Sequence, residues 1–538
     1  MTQRRVSRGR VAATTPILAT FLVALSVLAA ASQMNSLRLL TYRGSAISTD
    51  CMVGFIGYRS YHGHPIYTRA SQPPYTPAIY TPLTYLSLAT LGHALHPRSF
   101  QEFLVEGRIL IFSAFLLIAV VAYFWARRWS AGSPTALASP LLVLADPTLF
   151  RFSAGQRPDV PALLFSLLGF SVLTLPGRER PAAGRVAAAG FLMGIAFLFK
   201  QTFVAAPAAA GIWLLWEKRF RQAALLTLAW AAPVAVTLVW FLLHDQPIVY
   251  GILLMRHNVY DIPGELRLLA YLAVGSPVII LQVALGLVGL MELRRRAPHI
   301  APLAGIYLAL AFALDLTTMA SAGAVRWYLA EATTICSLLA PLGLGAWLRR
   351  LRSAPLLESQ LAAALVLIGL PALSLAGPIL GLEKPLGPWD TLSAAISGRR
   401  VFSDNAYIAA QSKKPEAVDP YLLAIFQKAA GWLPAPIVAQ MEKEDFDYVV
   451  LETISGPAGR RILRKPFRGI PRYSPEILDQ VERSYRLVGL CAGVNTAVFV
   501  PRQEPRGSRL ANRLGKACRW KPEAGVLIGG SATGRPAP

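Results

Sequence analysis

Residues 108–128 read RILIFSAFLLIAVVAYFWARR, with no charged residue between Arg108 and Arg127. A run of that length and polarity spans a bilayer core as a helix, and the arginine pair at its end marks one side of the membrane. Similar apolar runs lie on either side of it. Read as spans, they cover about 15–32, 108–126, 135–151, 160–176, 187–199, 203–216, 222–243, 267–291, 301–319, 328–347 and 357–381. The expected fold class is a polytopic α-helical membrane protein with about eleven transmembrane helices. Of the 538 residues, 54% are hydrophobic and 15% charged, a balance foreign to soluble globular chains.

The loops set the orientation. Arg4, Arg5, Arg8 and Arg10 precede the first run, which reads as an uncleaved signal anchor. Alternate loops then hold Arg127-Arg128, Arg178 with Arg180 and Arg185, Lys218-Arg219 with Arg221, Arg294-Arg295-Arg296, and Arg349-Arg350 with Arg352. All fall on the side of the amino terminus, which the positive-inside rule makes cytoplasmic. This topology accounts for much of the +24 net charge and leaves no basic patch with interleaved aromatics, so nucleic acid is excluded as a partner. Membrane lipids are the expected surroundings, with anionic headgroups meeting the basic tail. The expected location is the bacterial inner membrane, crossed many times.

Composition divides the chain into a transmembrane region, 1–382, a small extracytoplasmic α/β domain, 383–501, and a basic tail, 502–538, rich in Gly and Pro and expected to be disordered. In the middle part, strands are expected at 400–403, 447–451 and 497–500, and helices at 421–430 and 475–484. Cys51, Cys336, Cys491 and Cys518 have no metal-ligand spacing.

The chemistry is expected on the outer face. The first outer loop, 33–107, is too long for a connector and is crowded with Tyr, Pro and His; 77–95 within it reads as a juxtamembrane helix. Asp50 is the only acidic residue before Glu102. Asp159 stands at the outer end of the fourth span, where a helix N-terminus also favours it on purely structural grounds. Lys200, Gln201, His244, Asp245, Arg256, His257, Asp261, Arg326 and Tyr328 face the same compartment. A carboxylate there can serve as general base, and Arg or Lys can neutralise a phosphate leaving group.

Several segments, in order, resemble the GT-C superfamily of membrane glycosyltransferases, which includes protein O-mannosyltransferases and lipid A aminoarabinose transferases. They are Asp50 followed by Tyr61-His62-Gly63-His64-Pro65-Ile66-Tyr67; Pro74-Tyr75-Thr76-Pro77 with Tyr80-Thr81-Pro82-Leu83; Gly107-Arg108; Arg157-Pro158-Asp159; and Phe199-Lys200-Gln201-Thr202. The resemblance implies a hexosyl- or pentosyltransferase using a polyprenyl-phosphate sugar, with inversion. It implies Asp50 as catalytic base, Asp159 as a second acidic site residue, and Lys200 and Arg326 as ligands of the lipid phosphate. Gln201, Arg157, Tyr328, Tyr67 and Tyr75 would line the substrate site. His257 is the candidate metal ligand, but no Glu precedes Glu102 in the first loop to pair with it, so a divalent metal cofactor is not indicated. Asp50 is followed by Cys51 rather than a second acid, which argues against close kinship with the protein O-mannosyltransferases. The alternative is a transporter or lipid flippase, against which stand the unrepeated first loop and the gathering of charge at one face. The sequence names neither sugar nor acceptor.

Overall fold

The computed structural model describes residues 2–42, 50–69, 75–130, 134–175, 181–253, 260, 262–321, 328–353, 357–374, 389–413, 416–417, 434–455, 461–462, 473–491, 496–503, 506–514 and 526–527. Helix α1 (Thr2–Leu40) is followed by two helices inside the first outer segment, α2 (Asp50–Tyr61) and α3 (Leu83–Leu95). Then come α4 (Phe100–Trp129), α5 (Ala138–Ala145), α6 (Leu149–Ser153), α7 (Asp159–Leu173), α8 (Ala183–Phe199), α9 (Ala205–Trp216) and α10 (Phe220–Leu243). The helical region continues through α11 (Ile248–Leu253), α12 (Ile262–Gly275), α13 (Val278–Arg296), α14 (Ala301–Met319), α15 (Ala330–Ser353) and α16 (Leu357–Ser374).

Helix α4, built on the opening stretch, starts where the sequence provides a stop for free N–H groups. Ser99 accepts from the Glu102 N–H, and the Glu102 carboxylate reaches back to the Arg98 N–H at 2.6 Å. Among the described residues five helices are long and apolar enough to cross a membrane: Pro16–Leu40, Phe100–Trp129, Phe220–Leu243, Ala301–Met319 and Ala330–Leu351. Leu228, Val236 and Leu243 of α10 lie bare to the surroundings, whereas 83% of the apolar stretch of α15 is buried. Such bare aliphatic faces suit lipid and not water. The chain is an integral membrane protein.

Two expected spans are interrupted. The run 135–151 breaks at Asp146-Pro147, where the Asp146 carboxylate accepts from the backbone and hydroxyl of Thr148. The run 267–291 breaks at Ser276-Pro277, because proline offers no N–H and instead opens α13. Helices α13 and α15 pack backbone to backbone: a Cβ on Gly289 would lie 2.1 Å from the Leu339 carbonyl, and one on Gly343 2.1 Å from that of Leu285. Small residues permit this approach in lipid, where dispersion rather than water drives association. At the basic end of the same pair, Glu292 holds Arg296 at 2.9 Å and Arg349 at 2.5 Å.

Beyond α16 the chain forms α17 (Trp389–Ile396), β1 (Val401–Ser403), α18 (Ala406–Ala409), β2 (Glu416–Ala417), α19 (Ala435–Glu442), β3 (Tyr448–Glu452), β4 (Ile454–Ser455) and β5 (Arg461–Ile462). Next are α20 (Pro475–Ser484), β6 (Tyr485–Cys491), β7 (Thr496–Pro501), α21 (Arg506–Leu514) and β8 (Val526–Leu527). Five strands make one sheet in the order β2-β1-β3-β7-β6, parallel across β2-β1-β3 and antiparallel across β3-β7-β6. The helix expected at 421–430 lies outside the described residues. The tail is not wholly without structure: α21 is an amphipathic helix whose buried Leu510 accepts from the Tyr448 hydroxyl through its carbonyl, and Ser508 accepts from Arg486. Its apolar face finds a partner, which composition alone did not reveal.

The sheet rests on the first outer segment. Phe55, Tyr67, Tyr85 and Phe100 share one apolar cluster with Leu392, Tyr407, Tyr448, Val498 and Leu510. The rings of Phe100 and Tyr407 stand 6.2 Å apart. The α/β unit thus backs the helix that begins with Asp50.

Candidate active site

Asp50 is the first residue of α2, where the helix dipole favours a carboxylate. It is fully buried, and one oxygen accepts from Arg108 through Nε at 3.0 Å and Nη2 at 2.6 Å. The other accepts from the Gln156 N–H at 2.5 Å. Arg108 also donates from Nη1 to the Tyr42 carbonyl at 2.5 Å, so it ties the end of the first helical segment to α2. In this arrangement the carboxylate faces protein donors on both oxygens.

A second carboxylate opens α7. Asp159 receives Lys200 Nζ at 2.5 Å on one oxygen, while Arg157 Nε stands 3.4 Å from the other. All three are nearly sealed from the surroundings. Lys200 ends α8, so an N-terminal acid and a C-terminal base each sit at the helix end that suits their charge. The turn bearing Lys200 is clamped by the first outer segment: Thr81 donates to the Phe197 carbonyl, Thr84 to that of Phe199, and Gln201 Nε2 to that of Ile79 at 2.7 Å.

Tyr328 completes this cluster. Its hydroxyl accepts from Arg157 Nη2 at 3.2 Å, and Lys200 Nζ lies 4.5 Å from the centre of its ring. Arg157 also lies over the Phe152 ring at 4.8 Å. Burial pushes the Tyr80 hydroxyl well above its usual range, Tyr328 adds to the rise, and Arg157 opposes it. Asp159, Lys200, Thr202, Asp315, Thr318, Tyr328 and Glu331 are the polar lining of a small cavity of about 20 Å³, room for a single water. Lys200 is the cation that lines this cavity, and Arg157 stands behind Asp159; in so dry an interior charge interactions are weakly screened.

The structure therefore brings Arg157, Asp159, Lys200 and Tyr328 together, with Gln201 on the same turn. Asp50 is a separate, adjacent locus joined through Gln156. Tyr67 lies elsewhere: its hydroxyl donates to the Tyr80 carbonyl at 2.8 Å, and it lines a wider cleft with Arg69, His244 and Asp245. Tyr75 packs with Phe402, Ile437 and Phe499 in the core of the α/β unit, because its backbone turns back at φ 60° and aims the ring there. Arg326 and His257, with Arg256 and Asp261, fall outside the described residues. Among the described residues no three His, Cys, Asp or Glu side chains converge to hold a metal ion.

Two site residues escaped the sequence reading. Glu331, which accepts from Tyr307 at 2.8 Å and Ser166 at 3.1 Å, was signalled by its charge within the run 328–347. Gln156 had no signal beyond its place beside Arg157.

A family model described as dolichyl-phosphate-mannose-protein mannosyltransferase matches residues 82–244. That stretch holds Arg108, Arg157, Asp159 and Lys200 but neither Asp50 nor Tyr328. Among solved structures, ArnT from Cupriavidus metallidurans in the apo state aligns with a TM-score of 0.59 at 13% identity, over 90% of this chain and 98% of that one. The chain has the GT-C fold. ArnT from the same organism bound to undecaprenyl phosphate aligns with a TM-score of 0.53 at 14% identity, over 88% of this chain and 97% of that one. No curated protein matches the sequence.

Proposed function

We propose that the protein is an inverting hexosyl- or pentosyltransferase that moves a sugar from a polyprenyl-phosphate donor to a lipid, glycan or protein acceptor at the extracytoplasmic membrane face. The observation that carries this reading is the buried cation pair Arg157 and Lys200, both held on Asp159, with Lys200 lining a small polar cavity, within a GT-C fold. The ArnT structure bound to undecaprenyl phosphate supports a lipid phosphate as ligand. Arg326, from outside the described residues, is a further candidate for the phosphate. The basic loops on the opposite side support the orientation.

In this reading Asp50 is the general base. The acceptor hydroxyl takes the place of Arg108 at the Asp50 carboxylate and gives up its proton there. Its oxygen attacks the anomeric carbon from the face opposite the phosphate, and the bond to the phosphate oxygen breaks with its electron pair. The departing polyprenyl phosphate gains a negative charge, which Lys200 and Arg157 neutralise as it develops. Asp159 keeps both cations oriented before the donor arrives.

The test uses purified protein in lipid with a panel of polyprenyl-phosphate sugars and a membrane extract as acceptor source. Donor-dependent sugar loss is expected in the wild type, with a fall of at least about 100-fold in folded Asp50→Asn. Full transfer by Asp50→Asn would remove its role as base. No transfer from any donor, with gradient-driven uptake in the same vesicles, would replace the enzyme with a transporter.

A further inference from the structure

Gln156 stands between the two loci and holds both. Its backbone N–H donates to Asp50, and its side-chain Nε2 donates to the Phe103 and Leu104 carbonyls of α4, each at 3.1 Å. Those carbonyls belong to the helical turn that leads to Arg108, the ion-pair partner of Asp50. The next residue along is Arg157, and Asp159 follows two positions later. One residue thus grips the candidate base, the turn carrying its counter-ion, and the strand of backbone carrying the phosphate-site cation.

The room for this amide is built. A Cβ on Gly54 of α2 would lie 2.3 Å from Gln156 Oε1, and a Cβ on Gly107 of α4 would lie 2.1 Å from Gln156 Nε2. No larger residue at either position leaves the side chain where it is. The cradle also confines it without full satisfaction: Oε1 is buried and has no hydrogen-bond partner among the described residues. A leucine or methionine would fill the same space without that desolvated oxygen, so packing by itself does not call for an amide here.

We infer that Gln156 is the positioning residue that fixes the Asp50 carboxylate relative to the Arg157–Asp159–Lys200 cluster. The inference rests on the proposed glycosyl transfer. Asp50 must meet the acceptor while Arg157 and Lys200 meet the leaving phosphate, so the separation of the two loci must match the line of attack through the anomeric carbon. Displacements of about 1 Å in such geometry lower rates on the order of 100-fold. Binding of donor, which involves only the second locus, is less sensitive to it.

The experiment compares wild type, Gln156→Met, Gln156→Asn and the pair Gly107→Ala and Gly107→Ala/Gln156→Ala, each in lipid with the donor that the wild type uses. Gln156→Met keeps the length and the backbone N–H to Asp50 but loses the two side-chain hydrogen bonds that tie it to α4. We expect its kcat to fall at least tenfold with KM within threefold and an unchanged melting temperature, and Gln156→Asn to regain part of the loss. Gly107→Ala is expected to lower both stability and kcat. The double variant gives the new methyl the space the amide leaves, with Leu88 shifting slightly, and should regain stability but not kcat. Wild-type transfer with an unaltered kcat in folded Gln156→Met, or recovery of kcat in the double variant, overturns the inference and leaves glycosyl transfer standing. If Gln156→Met does not fold, the double variant decides. A wild type that transfers no sugar from any donor overturns both.

Discussion

Asp50 and Asp159 are two buried acids in matching places, each the first residue of a helix, yet their partners differ. Asp50 is held by Arg108 and by the Gln156 N–H. Asp159 meets two cations and borders a small cavity. A pair closed on itself serves structure until something displaces a partner. An acid shared by two cations leaves positive charge available to an incoming anion. In the proposed reaction the phosphate belongs to the Asp159 locus, and any reaction at Asp50 is conditional on displacing Arg108.

Removing one cation from each locus should expose the contrast most sharply. Arg108→Met leaves the Asp50 charge buried with a backbone N–H as its main remaining partner and should destabilise the protein by about 3–5 kcal/mol. Lys200→Met leaves Arg157 on Asp159 and should destabilise by only about 1–2 kcal/mol, both read from unfolding in detergent. Equal losses would erase the distinction between a closed and an open pair. Activity should order differently: folded Lys200→Met should lose transfer by roughly 100-fold or more, because the developing phosphate charge loses its closest cation. Asp159→Asn frees both cations, so polyprenyl phosphate should bind roughly 3- to 10-fold more tightly while turnover falls, measured by lipid-phosphate binding beside kinetics. Weaker binding instead would mean that Asp159 is needed mainly to hold the cations in place. Smallest is Tyr328→Phe, which removes the hydroxyl that accepts from Arg157 and should raise KM by about 3- to 10-fold with little change in kcat.

Much of the membrane architecture is legible in the sequence because hydrophobic length and arginine placement are one-dimensional quantities. The run 108–128 becomes part of a 30-residue helix, and the fold matches the GT-C resemblance read from short segments. Arg157, Asp159, Lys200 and Tyr328 were legible as charges and a ring at span ends, though only the folded chain shows them converging. What eluded the sequence are features made by contact between distant segments. Nothing along the chain says that Gly54 and Gly107 face the same amide, or that Tyr75 turns away into the α/β core. The breaks at Pro147 and Pro277 were present as letters but were submerged in apolar runs, whose mean hydropathy is blind to a missing N–H.

The contact of Tyr407 with Phe100 has a consequence in time. The membrane helices leave the ribosome first, and α2 is among the earliest segments made. Its apolar neighbours on the α/β unit, such as Tyr407, are synthesised about 350 residues later, which at ordinary rates of translation is about 18–70 s. For that interval the faces of Phe55, Tyr85 and Phe100 that will meet the sheet wait uncovered, so the helix beginning with Asp50 reaches its final setting only after nearly the whole chain exists. Nascent chains stalled before residue 400 would keep those faces uncovered.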